Sequence, residues 1–307
     1  MSATPFRENL RGIVLITACN LLFLINDSLI KLANADLPLS EIIFFRGLFA
    51  TVLLAPMVIA TGGHRRLRLL ANWPVFWRTV GEIFAAFTYL FALFHIPIAN
   101  ANTIGQIVPL FVTAAGAIFL REAVGWRRWT AIAVGFAGVL IVMRPGFDGF
   151  TVFSLFALVS AFFTTLRDVT TRIMPRGLSA LLVSLLTGFS VCLAGPVAGV
   201  LMQETWVVPT PAALGLIAVA VLFLIGGYLT AIEFMRHGDI SVVAPFRYTV
   251  IIWAIVIGFL VWGEVPDAAM IVGTVVIAAS GIYTFARERN HARLRPQVVP
   301  KAPASVV

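Results

Sequence analysis

Charge is what this chain most lacks. Of its 307 residues only 12% are Asp, Glu, Lys or Arg, against about 25% in an ordinary soluble domain. Apolar residues make up 60% and mean hydropathy is +0.98, so there is no polar skin with which to coat a water-soluble globule. The same numbers exclude a disordered chain. Cysteine is scarce too: only Cys19 and Cys192, both inside apolar runs. That excludes a disulfide-stapled scaffold and says nothing about redox compartment. The only lysines are Lys31 and Lys301, and neither completes G-x-x-x-x-G-K-[ST]; there is also no G-x-G and no H-E-x-x-H. Nothing here marks an ATP-driven pump, a dinucleotide enzyme or a zinc protease, so the sequence predicts no catalytic residue, no cofactor and no metal. An integral membrane protein remains.

A membrane helix takes roughly 20 residues, so a chain of this length holds about ten with short connections. Apolar segments run over 10–33, 40–61, 74–94, 98–120, 126–143, 150–171, 178–201, 211–234, 240–261 and 267–286. Breaks such as Gly62-Gly63-His64-Arg65-Arg66, Arg127-Arg128, Pro145-Gly146 and Pro209-Thr210-Pro211 divide them. Unbroken runs such as Ala131–Met143 do not alternate, which excludes a barrel of membrane strands. Helices remain, because each satisfies its own backbone in lipid. The first segment is longer than a signal-peptide core and contains Asn26-Asp27, so it is read as a retained span.

With the N-terminus in the cytoplasm, 18 of the 22 basic residues fall on cytoplasmic segments or helix ends, Lys31 and Arg144 fall outside, and Arg46 and Arg247 lie within spans. The positive-inside rule then puts both termini in the cytoplasm. The net charge of +8 records topology and contact with the lipid bilayer. Nucleic-acid binding is not expected, for lack of a basic soluble surface, and the chain is read as a monomer.

Fragments of the first half recur in the second. Asn26-Asp27-Ser28-Leu29-Ile30-Lys31 answers Arg167-Asp168-Val169-Thr170-Thr171-Arg172, and Ala55-Pro56 answers Gly195-Pro196. Tyr89-Leu90-Phe91-Ala92 answers Tyr228-Leu229-Thr230-Ala231, and Leu120-Arg121-Glu122-Ala123-Val124 answers Trp262-Gly263-Glu264-Val265. Four matches in order, at nearly one offset, divide the chain into two five-helix repeats, 1–146 and 147–290, with a cytoplasmic tail, 291–307. Five is odd, so the second repeat enters the bilayer upside down. That construction belongs to carriers that work by alternating access.

The run Ala92-Leu93-Phe94-His95-Ile96-Pro97-Ile98-Ala99-Asn100-Ala101, continuing to Pro109-Leu110-Phe111, then Leu120-Arg121-Glu122-Ala123-Val124-Gly125-Trp126 and Gly135-Phe136-Ala137-Gly138-Val139, resembles the EamA module of the drug/metabolite transporter superfamily. The second half resembles it more loosely, through Ala244-Pro245, Gly263-Glu264-Val265 and Gly273 with Gly281, and departs by having Arg247-Tyr248 where the first half has Gly105-Gln106. The resemblance implies a ten-helix carrier of small metabolites in the bacterial inner membrane. It implies export of an amino acid or related compound first, and uptake of a vitamin or nucleoside-like solute second. Glu122 and Glu264 match the family's helix-end glutamate and are read as structural.

Charges at membrane depth cost several kcal/mol and so face a cavity or a partner. Asp27 and Arg247 are read as substrate or proton sites, or as clamps between helices. Glu82 shares a face of its helix with Tyr89; Asn102 and Gln106 share a face of the next. Tyr228 repeats Tyr89, and Tyr248 and Trp253 lie near Arg247 in sequence. The expected substrate-binding set is therefore Arg247, Glu82, Tyr89, Gln106, Asn102, Tyr228, Tyr248 and Trp253, with Asp27 and Glu82 for proton coupling. Arg46 is read as snorkelling outward near Glu41, and Arg167-Asp168 as snorkelling at a helix end. Glu82 has Arg78 one turn away as a candidate ion-pair partner. Pro97, Pro109 and Pro245 mark kinks that allow gating.

Overall fold

The chain's computed structural model describes residues 4–119, 121, 125–145, 151–175, 177–234 and 243–294. Glu122, the junction at 146–147 and the tail beyond 294 lie outside the described residues. Within them every regular element is helical. The helices are α1 (Thr4–Ala33), α2 (Leu39–Ala60), α3 (Trp73–His95), α4 (Ile98–Gly105), α5 (Val108–Phe119), α6 (Trp126–Met143), α7 (Val152–Arg172), α8 (Ala180–Met202), α9 (Pro211–Phe234), α10 (Thr249–Trp262) and α11 (Ala268–Leu294). Two 3-10 helices, Gly63–Leu70 and Ala244–Tyr248, join them.

Among the described residues, eight helical stretches are long and apolar enough to cross a membrane: Glu8–Ala33, Leu39–Ala60, Ile98–Phe119, Trp126–Met143, Val152–Arg172, Ala180–Met202, Pro211–Ala231 and Pro245–Trp262. A shorter apolar stretch covers Ala268–Thr284. The α3 helix has 23 residues, and Arg78 and Glu82 are what lower its hydropathy.

Two of these stretches are not continuous helices. Pro109 has no N–H to give the carbonyl of Gly105, and its ring crowds that carbonyl. The helix therefore breaks at Gln106 and Ile107, whose amides donate to Thr103 (3.1 Å) and Ile104 (3.1 Å) in tightened turns. The sequence reading of 98–120 as one kinked helix is corrected by this break into α4 and α5. In the second half Pro245 sits in the 3-10 helix that precedes α10. Irregular backbone at membrane depth must find partners. Here Asn20 of α1 supplies them, its Nδ2 donating to the carbonyls of Phe246 (3.3 Å) and Arg247 (3.0 Å) and to Thr249 Oγ1 (3.2 Å).

The most extensive packing joins α2 with α8, α3 with α7, α1 with α9 and α6 with α11. Between helices in lipid, association relies on close packing rather than on expulsion of water, so small residues sit at the contacts. A Cβ on Gly47 of α2 would stand 2.3 Å from the Cys192 nitrogen of α8. One on Gly81 of α3 would stand 3.0 Å from the Arg167 nitrogen of α7. Each glycine adjoins a charged residue, Arg46 or Glu82. Close approach of backbone therefore sets how the charges meet.

One end of the bundle is laced together by polar contacts between distant segments. Lys31, at the end of α1, pairs with Glu264 after α10 (2.8 Å) and donates to the carbonyl of Ile96 (2.9 Å). Glu264 accepts in turn from the amide of Ile98, the first residue of α4 (2.9 Å). The amide of Ser40 donates to Glu204 (2.9 Å), Trp206 Nε1 donates to Ser40 Oγ (2.9 Å), and the amide of Val207 donates to Glu41 (3.2 Å). Beneath this lacing Ile30, Ile42, Leu90, Leu93 and Ile98 are fully buried. A cavity of about 390 Å³ opens above it, lined in part by Asp36, Phe94, His95 and Glu204.

Candidate functional site: a charged chamber between the helices

Polar side chains from several helices meet inside the bundle. Tyr89 of α3 donates to Asp27 of α1 (2.6 Å), and Asn26 Nδ2 donates to the same carboxylate (2.9 Å). Asn102 of α4, whose Nδ2 donates to the Ile98 carbonyl (3.0 Å), lies near Tyr89. One turn after Asp27 stands Lys31, but its ammonium goes to Glu264 and leaves Asp27 to other groups.

Further along α3, Glu82 pairs with Arg167 of α7 (3.4 Å), and Arg167 also pairs with Asp168 (2.8 Å). Arg78 Nη1 donates to Thr187 of α8 (2.6 Å), while its Nε is buried without a partner. Arg78 and Glu82 also interact electrostatically, as their spacing predicts. Tyr228 of α9 interacts electrostatically with Glu82, Arg167, Arg46 and Arg78, and its ring meets Phe23 of α1 edge-on at 5.3 Å.

This group is central without being sealed. Tyr228 is 41% exposed, although its neighbours are charges on three other helices. The side chains of Arg167 and Asp168 remain 25% and 37% exposed. These groups interact with charges on neighbouring helices and yet keep accessible surface. A solvated space is what three arginines and three carboxylates at this depth require.

Arg46 of α2 is the residue that sequence reasoning misplaced. It does not turn out toward Glu41, which is buried and accepts from the Val207 amide. Its guanidinium acts instead on Asp27, Glu82, Tyr89 and Tyr228. Among the described residues it makes no hydrogen bond and no ion pair within 4 Å. The Arg167-Asp168 pair likewise points inward rather than snorkelling. One signal in the sequence bears on both: Arg46-Gly47 and Thr187-Gly188 stand at the repeat offset, as do Asp27 and Asp168. Positions that stay polar in both repeats are poor candidates for lipid contact.

The structure thus brings together Asp27, Glu82, Tyr89, Asn102 and Tyr228 from the expected set. It sets the others apart. Gln106, at the α4–α5 break, is buried with its Oε1 unpartnered. Tyr248 is buried, its hydroxyl seated against Gly281 of α11 and also unpartnered. Trp253 packs against the apolar core. Arg247 is exposed in the 3-10 helix, where Asn20 takes its carbonyl. Among the described residues no cluster of three metal-ligating side chains occurs.

Comparison with known proteins agrees with this architecture. Residues 10–144 match the model of the EamA-like transporter family. The chain is 29% identical to the pseudopaline exporter of Pseudomonas aeruginosa over 275 residues, 88% of this chain and 94% of that protein. It is 24% identical to an S-adenosylmethionine uptake transporter of Rickettsia bellii, covering 86% and 90%. To a riboflavin transporter of Vibrio cholerae it is 25% identical, covering 92% and 96%. A solved crystal structure, 18% identical, superposes over 93% of this chain and 99% of that one with a TM-score of 0.58, a likeness of fold alone.

Proposed function

We propose that the chain is a member of the EamA-like transporter family, whose model matches residues 10–144, and that it is, like the transporters it resembles, a secondary carrier of a small organic metabolite. In this reading ten spans form two five-helix repeats of opposite orientation, and export of an amino acid or related compound is the activity. The chain sits in a bacterial inner membrane with both termini in the cytoplasm, consistent with bacterial relatives and with the bias of basic residues. The relatives named as transporters point away from an enzyme.

One observation carries the proposal: charges from α1, α2, α3 and α7 cluster between the helices, and several of them keep part of their surface accessible. A channel needs no such balanced set, and a purely structural bundle would not leave charges part-accessible between its helices. The helix pairing supports two interchangeable halves. Numbering the spans so that the second five repeat the first, α2–α8 and α6–α11 each join a span to its own counterpart. The remaining two pairs, α3–α7 and α1–α9, become one another when the repeats are exchanged. Two halves related in this way can swap conformations and open the chamber to either side in turn.

Substrate would enter the chamber lined by Glu82, Tyr89, Asn102 and Tyr228, with the aromatic rings supplying apolar and cation–π walls. Asp27 would carry the coupling proton. The lacing of Lys31, Glu264, Ile96 and Ile98 closes the end we assign to the outside, and it would come apart when the chamber opens there. The α4–α5 break and the 3-10 helix before α10 would serve as the joints.

Flux into and out of proteoliposomes tests the proposal, using amino acids, S-adenosylmethionine and riboflavin with and without a pH gradient. The expected result is saturable movement of at least one solute. Binding or turnover with no vectorial movement would remove the carrier reading.

A further inference from the structure

The chamber holds six ionisable groups, and four of them are committed to one another. Arg167 is shared by Glu82 and Asp168, and Arg78 interacts with Glu82 while donating to Thr187. The remaining two are Arg46 and Asp27. Among the described residues Asp27 is held by the neutral donors Tyr89 and Asn26, and Arg46 makes no hydrogen bond and no ion pair within 4 Å. They act on each other electrostatically but form no ion pair within 4 Å.

Their depths match. Asp27 lies six residues from the end of α1, about 9 Å, and Arg46 lies seven residues into α2, about 10 Å, measured from the same end of the bundle. A cation and an anion at membrane depth, neither paired with the other, are a costly arrangement unless water or a solute satisfies them. Neighbouring groups hold each residue in place. Gly47 presses α2 onto α8 beside Arg46, and Tyr89 holds Asp27 from the α3 side.

We infer that Arg46 and Asp27 are the two poles of the substrate site and that they receive a zwitterion bearing both a carboxylate and an ammonium or other cationic group. The carboxylate takes the planar guanidinium of Arg46 by paired hydrogen bonds, and the cationic group takes Asp27. Glu82 does not serve as the anionic pole, because Arg167 already occupies it. The inference rests on the carrier reading and narrows its substrate class. A neutral solute such as riboflavin would leave both poles unsatisfied, so the structure assigns this chain to the charge class of amino-acid-like compounds.

The test uses the full-length protein in nanodiscs. Thermal unfolding and equilibrium binding are followed with the amino acids and S-adenosylmethionine, each beside its carboxamide and its decarboxylated amine, and with riboflavin. The expected result is that at least one compound with both charges binds and stabilises, and that its amide and amine bind at least 10-fold more weakly. Arg46→Gln then lowers affinity for that compound by 10-fold or more, Arg46→Lys by less, and Asp27→Asn also weakens it. Should Arg46→Gln fail to fold, the Arg46→Lys variant and the amide comparison on the unaltered protein still decide. The inference is overturned if no zwitterion stabilises the protein, if amide or amine binds as well as its parent, if riboflavin alone binds, or if the Arg46 variants bind unchanged. Vectorial flux of a neutral solute through the unaltered protein, with no zwitterion competing, would sink this inference and leave the carrier reading standing. Zwitterion binding that depends on Arg46 without flux would do the reverse.

Discussion

Arg167 and Arg46 are arginines of the same chamber, each partly accessible, and they differ in company. Arg167 is held by two carboxylates, Glu82 and Asp168, whereas Arg46 has charged neighbours but, among the described residues, no hydrogen bond or ion pair within 4 Å. The contrast extends to the glycines beside them. Gly81 brings the α3 backbone against that of α7, where Glu82 can reach Arg167, while Gly47 brings α2 against α8, where the position that repeats Arg46 is the uncharged Thr187. One half of the chamber is thus a finished ion network that ties α3 to α7. The other is an unfinished one, and an interaction left unmade by the protein is available to a solute.

Removing an arginine separates the two halves most sharply. Arg167→Ala takes from Glu82 and Asp168 the arginine they share. Breaking a fully buried pair costs about 3–5 kcal/mol, and this half-buried one, with Arg78 still near Glu82, should lie at or below the lower end. A large fall in unfolding temperature is expected, and Glu82→Gln combined with Arg167→Gln should cost less than the two single changes added together. Additive losses would mean that the pair contributes nothing as a pair. Next in size is Gly47→Leu, whose side chain meets the α8 backbone. A loss of about 1–3 kcal/mol from overpacking is expected, with transport falling further than stability because Arg46 is displaced. Equal losses of both would detach Gly47 from the site.

Tyr89→Phe removes one hydrogen bond to a carboxylate, about 1.5 kcal/mol at the low end for a charged acceptor. Its stability loss should be smaller than that of Arg167→Ala, and its flux should respond less steeply to a pH gradient because Asp27 has lost its positioning donor. A flux profile identical to that of the unaltered protein would remove Tyr89 from the coupling. The smallest stability effect is expected for Arg46→Gln, within about 1 kcal/mol, because no ion pair is broken. An unfolding temperature that falls as far as in Arg167→Ala would show that Arg46 is a structural clamp and erase the contrast.

Much of the helix pattern could be read from the chain itself. Segments placed at 74–94, 126–143 and 211–234 fall within a residue or so of α3, α6 and α9, because uninterrupted apolar runs and Pro or Gly breaks are local signals. The α4–α5 break was only partly legible. Pro109 announces a disturbed helix, but whether it bends or divides depends on the packing around Gln106. Asp27, Glu82, Tyr89 and Tyr228 could be picked out because polar groups at depth are rare enough to require an explanation. Arg46 and Arg167 could not be assigned a direction, because a highly apolar helix carries little record of which face looks inward. Partner choice was hidden for a similar reason: Lys31 is one turn from Asp27 in sequence, yet the contact that claims it lies 233 residues away.

Asn20 has a mechanical consequence. A single carboxamide gathers two carbonyls of the 3-10 helix that leads into α10 and the hydroxyl of Thr249, the first residue of α10, so that stretch is bolted to α1. Asn20 and Asp27 are seven residues apart on that same rod, about 10 Å along its axis. Any tilt or slide of the entry to α10 is therefore delivered to the Asp27 carboxylate by a stiff lever, with no chain of intermediate side chains needed to relay it.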